Sequence, residues 1–149
     1  MFWLDEASPS ALAPGKRPRT TLTPSLALPD GEPWLAFGTP GGDQQDQWSL
    51  VFFLRHVHHG MNLQEAIDAP TFHTDHMPSS FWPREVKPAH LSIEGRFPRA
   101  TIATLRRRGH EVTIAGDWSL GRLSAASRDG DILKAAANPR FMQGYAIGR

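Results

Sequence analysis

The sequence contains no cysteine, so disulfide bonds and thiolate metal sites are excluded. No stretch approaches the ~20 consecutive apolar residues that a membrane-spanning helix needs, and we expect no membrane span. Neither sign of charge is in excess, because 16 Lys and Arg residues nearly balance 15 Asp and Glu residues and leave a formal net charge of +1. The three arginines at 106–108 precede Gly109 without interleaved aromatic residues, a pattern typical of a helix C-terminus. We therefore expect no nucleic-acid partner.

Signals of other enzyme classes and of targeting are missing as well. No Gly-x-Ser-x-Gly motif occurs, and Ser119, which comes nearest, lacks the first glycine, so a Ser-His-Asp hydrolase is not indicated. Residues 1–6 have neither the basic start nor the apolar run of a signal peptide. What is present, 149 residues with 40% hydrophobic and 21% charged side chains, fits a single globular domain over residues 1–149.

Turn residues and hydrophobic patterning predict the first elements. Residues 25–37 are expected to form a hairpin with its turn at residues 29–32. Residues 44–59 contain neither Pro nor Gly and predict a helix that Gly60 ends. Because residues 48–54 are apolar almost all round, we expect this helix to be buried on most sides, as between the layers of a sandwich.

The remaining elements are shorter. Asn62 followed by Glu65 resembles a capping box, which predicts a short helix that ends before Pro70. The prolines that follow predict an irregular excursion up to Pro88. The later predicted elements are a weak strand at 91–93, a helix at 98–108, a strand at 110–114 and a second hairpin at 123–136 with an Asp-Gly turn. Hairpins around a buried helix predict a layered α+β domain.

A pair of glycines, Gly41 and Gly42, stands between the first hairpin and the long helix, in the sequence GTPGGD (residues 38–43). Without Cβ atoms, a reacting group can approach their N–H groups closely. Those N–H groups also lie near the positive end of the following helix. Donors that are fixed before charge develops suit an oxyanion. Alone, however, such a pair is better explained by a tight turn with positive φ.

Three ordered blocks resemble the γ-glutamyltranspeptidase family in the C-terminal part of its small subunit. They are residues 14–24 (PGKRPRTTLTP), 38–42 (GTPGG) and 60–73 (GMNLQEAIDAPTFH), and a weaker fourth block is residues 137–140 (ANPR). The resemblance covers nearly the whole chain. It implies part of an αββα N-terminal-nucleophile hydrolase sandwich, with antiparallel sheets inside and helices outside.

The resemblance also implies roles for individual residues. Gly41 and Gly42 match the glycine pair that forms the family's oxyanion hole. Thr20 and Thr21 match a Ser-Ser pair that binds the substrate α-carboxylate; both keep a hydroxyl donor, but their methyl groups narrow the pocket. Arg17 lies just before them, and a guanidinium holds a carboxylate with two hydrogen bonds. The alternatives are that the threonines merely enter a strand and that Arg17 lies in a solvated loop.

The family's nucleophile falls outside this chain. Autocleavage frees a threonine whose own amine then acts as base toward its hydroxyl. Thr20, Thr21 and Thr23 are internal and have no such amine, so we expect the nucleophile in an upstream segment of the same precursor, whose large subunit is a further expected partner. The isolated chain is therefore expected to be inactive. The chemistry needs no cofactor, and the family analogy implies a periplasmic or extracellular location, with a cytoplasmic one left open.

The start of the chain departs from the family pattern N-x-M-D-D-F, in which an aspartate binds the substrate's α-amino group. If Met1 matches the methionine of that pattern, Phe2 and Trp3 take the place of the two aspartates. A substrate ammonium then lacks its carboxylate partner unless Asp5 or Glu6 substitutes. This favours a related acyl group, as in cephalosporin-acylase-like members, over a true γ-glutamyl group.

Two other hypotheses remain open at this point. His56 and His59, with further histidines in residues 73–76, have a spacing that could bind zinc in a metal hydrolase. Ordinary polar positions explain them as well, and His73 matches a family histidine, so no metal site is predicted. The chain could instead be a non-catalytic truncated fragment that folds only with a partner segment, because half a sandwich leaves sheet edges and apolar faces uncovered.

Taken together, the sequence predicts a fragment of a γ-glutamyl or related acyl transferase or hydrolase. Its expected substrates are γ-glutamyl or related amides, which includes the compounds of glutathione metabolism. Its expected contribution is the oxyanion hole and the substrate-carboxylate site.

Overall fold

The structure, a computed structural model that describes residues 1–142 and 144–147, contains two β-sheets with three α-helices between and beside their strands. In chain order the elements are β1 (Ser25–Ala27), β2 (Leu35–Gly38), α1 (Gln45–Val57), α2 (Leu63–Asp68), β3 (Phe72–Thr74), β4 (His90–Glu94), α3 (Arg99–Arg107), β5 (Glu111–Ala115), β6 (Ser124–Asp129) and β7 (Ile132–Ala137). The predicted α+β class is confirmed.

The first sheet has four strands in the order β1-β2-β6-β7, and every neighbouring pair is antiparallel. Both predicted hairpins are present in it. Side chains alternate between its two faces, so Leu35, Ala125 and Ala136 point to one side and pack into a core with Phe52 of α1 and Ile67 of α2. This sheet positions the turn that connects β2 to α1.

The second sheet has three strands in the order β3-β4-β5. β3 pairs antiparallel with β4, but β4 pairs parallel with β5. The parallel pair arises because α3 carries the chain back to the starting end of β4, as a parallel connection requires. A small second core of Leu91, Ile93 and Ile102 fills the space between β4 and α3. β3 lies in a stretch that the sequence did not predict as a strand.

The helix α1 is less buried than its sequence indicated. It ends where predicted, and Gly60 has a φ of +68°, which favours glycine. Its buried residues are Gln45, Ser49 and Phe52, whereas Leu50 is 56% exposed and Leu54 is 39% exposed. The prediction that this helix is buried on most sides is therefore wrong for the part of the chain that the structure describes.

The predicted capping box of α2 is confirmed. Asn62 Oδ1 accepts the Glu65 N–H at 2.9 Å, and Glu65 Oε2 accepts the Asn62 N–H at 2.9 Å. Among the described residues, no helix combines the length and apolar character needed to cross a membrane. That residues 1–149 form a single domain, as part of a larger subunit, stays a prediction.

Candidate active site

The turn between β2 and α1 carries the two glycines that sequence analysis selected. Gly41 has a φ of +150° and Gly42 a φ of +62°, both in the region that favours glycine. An aromatic ring lies close to each of the two glycines. A Cβ on Gly41 would collide with the ring of Trp48, and one on Gly42 would lie 3.1 Å from Phe81 Cε2. Close approach therefore requires glycine at both positions.

The side chain of Gln45 ties this turn to the threonine segment. Gln45 is only 6% exposed. In the amide orientation that satisfies its neighbours, its nitrogen donates to Thr21 O at 3.2 Å and to Thr39 O at 2.9 Å, and its oxygen accepts the Gly42 N–H at 3.1 Å. Among the described residues nothing accepts the Gly41 N–H. The Gly41 N–H is thus free to donate, whereas the Gly42 N–H is already donated to the Gln45 side chain.

A cavity of about 150 Å³ brings three of the predicted site residues together. Thr20, Thr21 and Gly42 all line it. Thr20 Oγ1 accepts the Leu22 N–H at 3.1 Å, which leaves its own hydroxyl proton available for donation. The chain thus places hydroxyl donors beside the glycine turn, although the two blocks are about twenty residues apart in sequence.

Arg17 does not join this cavity. Its side chain is exposed, and it makes no hydrogen bond or ion pair within the ranges that the structure describes. Arg19, two residues later, lines the cavity instead. Its Nη2 donates to Ser80 Oγ at 2.6 Å. Arg19, and not Arg17, therefore lines the cavity together with the threonines.

Asp43 and Ser80 are site residues that the sequence did not indicate. Asp43 Oδ2 accepts the Ser80 N–H at 2.7 Å and the Ser79 hydroxyl at 3.2 Å. Partial burial raises the pKa of Asp43, but the hydrogen bonds from Ser80 and Ser79 and the charge of Arg19 outweigh it, so the pKa lies below its ordinary value. The sequence could have indicated Asp43, because it directly follows the glycine pair. It could not have indicated Ser80, which lies in an irregular stretch without a motif.

A second, larger cavity of about 520 Å³ adjoins the first. The two share Arg19, Asp43, Asp46 and Ser80 as lining residues. The larger cavity is otherwise mostly polar. The contact between Arg19 and Ser80 therefore stands on the boundary between a small cavity at the glycine turn and a roomier polar one beside it.

The histidines selected from the sequence do not assemble around a common point. His56 Nδ1 lies 2.8 Å from Met61 O, and its ring stacks on Trp34 with centroids 5.5 Å apart. His59 is exposed at the end of α1. Within residues 1–142 and 144–147, no group of three or more His, Cys, Asp or Glu residues is arranged to hold a metal ion.

The second histidine group centres on Asp75. His90 Nδ1 lies 2.7 Å from Asp75 Oδ2, and His73 Nε2 lies 3.8 Å from Asp75 Oδ1. Burial lowers the pKa of His73, and the opposing charge of Asp75 does not fully compensate. His73 packs edge-on against Trp48, the residue behind Gly41. This histidine therefore supports the glycine turn from behind.

Antiparallel hairpins, helices packed on one face of the four-stranded sheet and a glycine turn leading into a helix agree with the N-terminal-nucleophile hydrolase fold that the sequence predicted. The family model described as Gamma-glutamyltranspeptidase matches residues 1–148. The chain belongs to the γ-glutamyltranspeptidase family.

Individual relatives agree with this assignment. The oxamate amidohydrolase proenzyme of Klebsiella pneumoniae is 38% identical over 151 residues, which cover 99% of this chain and 27% of the relative. The solved structure titled LmbA2991HD is 58% identical with a TM-score of 0.91, covering 100% of this chain and 27% of that one. A cephalosporin acylase from Bacillus halodurans is 29% identical with a TM-score of 0.78, covering 93% of this chain and 24% of that one.

The chain spans only about a quarter of the length of these relatives. Two curated relatives that each cover 99% of this chain, from Klebsiella pneumoniae and Bacillus subtilis, are both described as proenzymes. The matched region is thus one portion of a larger precursor in the relatives.

Proposed function

We propose that this chain is the C-terminal part of the small subunit of an enzyme that transfers or hydrolyses a γ-glutamyl or related acyl group. In this proposal Gly41 and Gly42 form the oxyanion hole. Thr20, Thr21 and Arg19 bind the carboxylate, or its equivalent, on the acyl group. The nucleophilic threonine belongs to a preceding segment of the precursor, and the isolated chain is inactive.

The observation that carries the proposal is the cavity that Thr20, Thr21 and Gly42 line together. The Gln45 side chain joins the two segments by hydrogen bonds to the Thr21 carbonyl and the Gly42 N–H. Hydroxyl donors and a guanidinium on one side suit a carboxylate, which accepts several hydrogen bonds. The glycine turn, represented in the same cavity by Gly42, carries the backbone N–H groups that suit an oxyanion. One cavity of about 150 Å³ therefore suits a short acyl group that carries a carboxylate and an amide carbonyl.

The proposed reaction has two halves. The threonine hydroxyl attacks the amide carbonyl, its proton passes to the N-terminal amine, and the carbonyl oxygen becomes an oxyanion. In this proposal the Gly41 N–H, which has no acceptor among the described residues, donates to the oxyanion, and the Gly42 N–H joins it on leaving the Gln45 side chain. As the oxyanion collapses, the N-terminal ammonium returns that proton to the amide nitrogen, the C–N bond breaks, and the neutral amine leaves a threonyl ester. Water or a second amine then attacks the ester at the same turn.

Three substrates test the acyl class. The names of relatives include an oxamate amidohydrolase, glutathione hydrolases and an acylase. We therefore expect the activity among γ-glutamyl amides, glutaryl amides and oxamate, which is itself the monoamide of oxalate. Arg19 lines the cavity in place of Arg17, and the methyl groups of Thr20 and Thr21 narrow the pocket. Both features favour short acyl groups without an α-ammonium.

The test uses a chimeric proenzyme in which this chain replaces the matching region of the Klebsiella relative, with amide hydrolysis as the readout. Hydrolysis by the chimera of at least one of the three amides, and none by the chain alone, is the expected result. A folded chimera that is silent on all three would contradict the proposal. Activity of the chain alone would place the nucleophile within residues 1–149 and contradict it as well.

A second candidate is a non-catalytic fragment that folds with a partner segment. An open cavity of about 1010 Å³ lies on the outer face of the four-stranded sheet, where Ile132 is 61% exposed and Leu133 is 79% exposed. Exposure of such an apolar face to water is unfavourable and is typical of a surface that packs against a partner. Cooperative urea unfolding of the chain alone would count against this candidate, whereas unfolding that becomes cooperative only with the partner segment would support it.

A further inference from the structure

The Arg19 guanidinium is hydrogen-bonded at one point. Its Nη2 donates to Ser80 Oγ at 2.6 Å, and among the described residues Ser80 is the only acceptor of this side chain. The remaining N–H groups of Arg19 are therefore available to a ligand. Because Arg19 is otherwise exposed, it would sample many rotamers without this contact and would lose that freedom on binding a carboxylate. The contact with Ser80 thus orders the guanidinium before a ligand binds.

Ser80 is itself fixed by Asp43. It is only 3% exposed, and its N–H donates to Asp43 Oδ2 at 2.7 Å. The hydroxyl of the neighbouring Ser79 donates to the same carboxylate oxygen at 3.2 Å. Hydrogen bonds to a charged group are the stronger kind, so this attachment resists displacement. The Asp43 carboxylate therefore fixes the acceptor that orders Arg19.

Asp43 also connects this contact to the glycine turn. It follows Gly42 directly in the sequence. Arg19, Asp43 and Ser80 line the cavity of about 150 Å³ together with Gly42 and the two threonines. The contacts that lead from Gly42 through Asp43 and Ser80 to Arg19 therefore determine where the guanidinium lies relative to the turn.

We propose that Asp43 and Ser80 are positioning residues for Arg19, which hold its guanidinium in the orientation that binds the carboxylate of the acyl group. This inference rests on the proposed function, which assigns carboxylate binding to Arg19. A carboxylate that only lined the cavity would repel the acyl carboxylate, so its removal would strengthen binding. A carboxylate that positions Arg19 has the opposite effect, and its removal weakens binding.

The test measures KM in the chimeric proenzyme for glutaryl-p-nitroanilide and for pentanoyl-p-nitroanilide, which lacks the carboxylate. We expect Ser80→Ala and Asp43→Ala each to raise KM for the glutaryl amide about tenfold, the scale of a lost hydrogen bond to a charged group. KM for the pentanoyl amide should not change. Asp43→Asn keeps an oxygen acceptor for the Ser80 N–H and should hold KM for the glutaryl amide near the wild-type value.

Two controls match these variants. Ser79→Ala removes a hydroxyl from the same turn but leaves the acceptor of Arg19 in place, and it should raise KM for the glutaryl amide far less than Ser80→Ala. Asp46→Ala removes another carboxylate that lines the cavity, whose side chain accepts only the N–H of its neighbour Gln47 among the described residues. It should not raise KM for the glutaryl amide.

A double-mutant cycle with Arg19→Ala separates positioning from a general structural role. In the Arg19→Ala background, Ser80→Ala should add nothing to KM for the glutaryl amide, because the guanidinium that it orders is absent. Additive rises in KM, equal changes for the two amides, equal effects of Ser79→Ala and Ser80→Ala, or an unchanged or lower KM in Ser80→Ala and Asp43→Ala would overturn the positioning role and leave the proposed function in place. A wild-type chimera silent on γ-glutamyl amides, glutaryl amides and oxamate would instead overturn the proposed function, and the positioning role with it.

Discussion

The Arg140 guanidinium binds both carboxylate oxygens of Glu94, with Nε 2.7 Å from Oε1 and Nη2 2.8 Å from Oε2. Glu94 is fully buried and Arg140 is 3% exposed. Backbone N–H groups of Thr71 and Ser119 donate to the same carboxylate, each at 3.1 Å. This two-point contact joins the end of β4 to the segment after β7, in the block ANPR that resembled the family's closing motif.

We expect Glu94→Gln to destabilise the fold by about 3–5 kcal/mol, because it leaves the buried Arg140 charge without a counterion. Urea denaturation of the chimeric proenzyme or of the chain itself measures the change. The matched control is Glu85→Gln, which removes an exposed carboxylate that pairs with Lys87 and should cost about 0–1 kcal/mol. Equal effects of the two substitutions would contradict the structural role of Glu94.

The same carboxylate predicts how stability depends on pH. Burial raises the pKa of Glu94, but the hydrogen bonds and charge of Arg140 and the donation from Thr71 outweigh it, so the folded-state pKa lies below the ordinary value of 4.5. The stabilisation is therefore complete above pH 4.5 and is lost as pH falls through the lower, folded-state pKa. Unfolding free energies measured from pH 6 downward should show this loss in wild type and not in Glu94→Gln.

At the glycine turn we expect Gly42→Ala to lower kcat of the chimera by about a hundredfold, the scale for loss of an oxyanion-hole donor. The added methyl group would meet Phe81 and would strain a backbone with φ of +62°. Gly130→Ala is the control, since Gly130 has a similar φ of +61° but open space around it. A comparable loss in both variants would point to backbone strain in general and contradict the oxyanion-hole role.

The threonine pair should determine binding of the acyl carboxylate. We expect Thr20→Val and Thr21→Val each to raise KM for glutaryl-p-nitroanilide about tenfold, because each removes a hydroxyl donor to a charged group while keeping the side-chain shape. KM for the corresponding amide without a carboxylate should not change. Thr101→Val, on an exposed face of α3, serves as control. Equal changes of KM for charged and neutral substrates would contradict carboxylate recognition.

Arg19 and Arg17 give a matched comparison within one segment. We expect Arg19→Ala to raise KM for carboxylate-bearing amides about tenfold or more, because the guanidinium lines the cavity. Arg17→Ala, which alters an exposed side chain, should leave KM within about twofold. Steady-state kinetics of both variants in the chimera decide between them. The reverse order of effects would restore the role that sequence analysis gave to Arg17.

Much of the fold followed from local patterns. The two hairpins and the cap of α2 depend on turn and capping chemistry between near neighbours, so the sequence contains their cause. The burial of α1 could not be predicted in the same way. The apolar run 48–54 indicates a helix that packs against other apolar surfaces. It does not show which of its side chains this chain buries, and Leu50 and Leu54 stay exposed.

The site shows the same division. Gly41, Gly42, Thr20 and Thr21 were recognised because a family pattern marks them. Ser80 was not, because its contacts with Arg19 and Asp43 span 61 and 37 residues and arise from an irregular stretch. Long-range polar contacts of this kind have no local periodicity, so only the folded structure shows them.

The most direct test of the account is to locate the acyl group during turnover. The chimeric proenzyme is mixed with a glutaryl amide or with oxamate and quenched in acid, and the acylated peptide is identified by mass spectrometry. The account predicts an ester on the N-terminal threonine of the segment that precedes this chain, depleted in Gly42→Ala, with no acyl group on residues 1–149. An acyl group on Thr20, Thr21 or any other residue of this chain would contradict it.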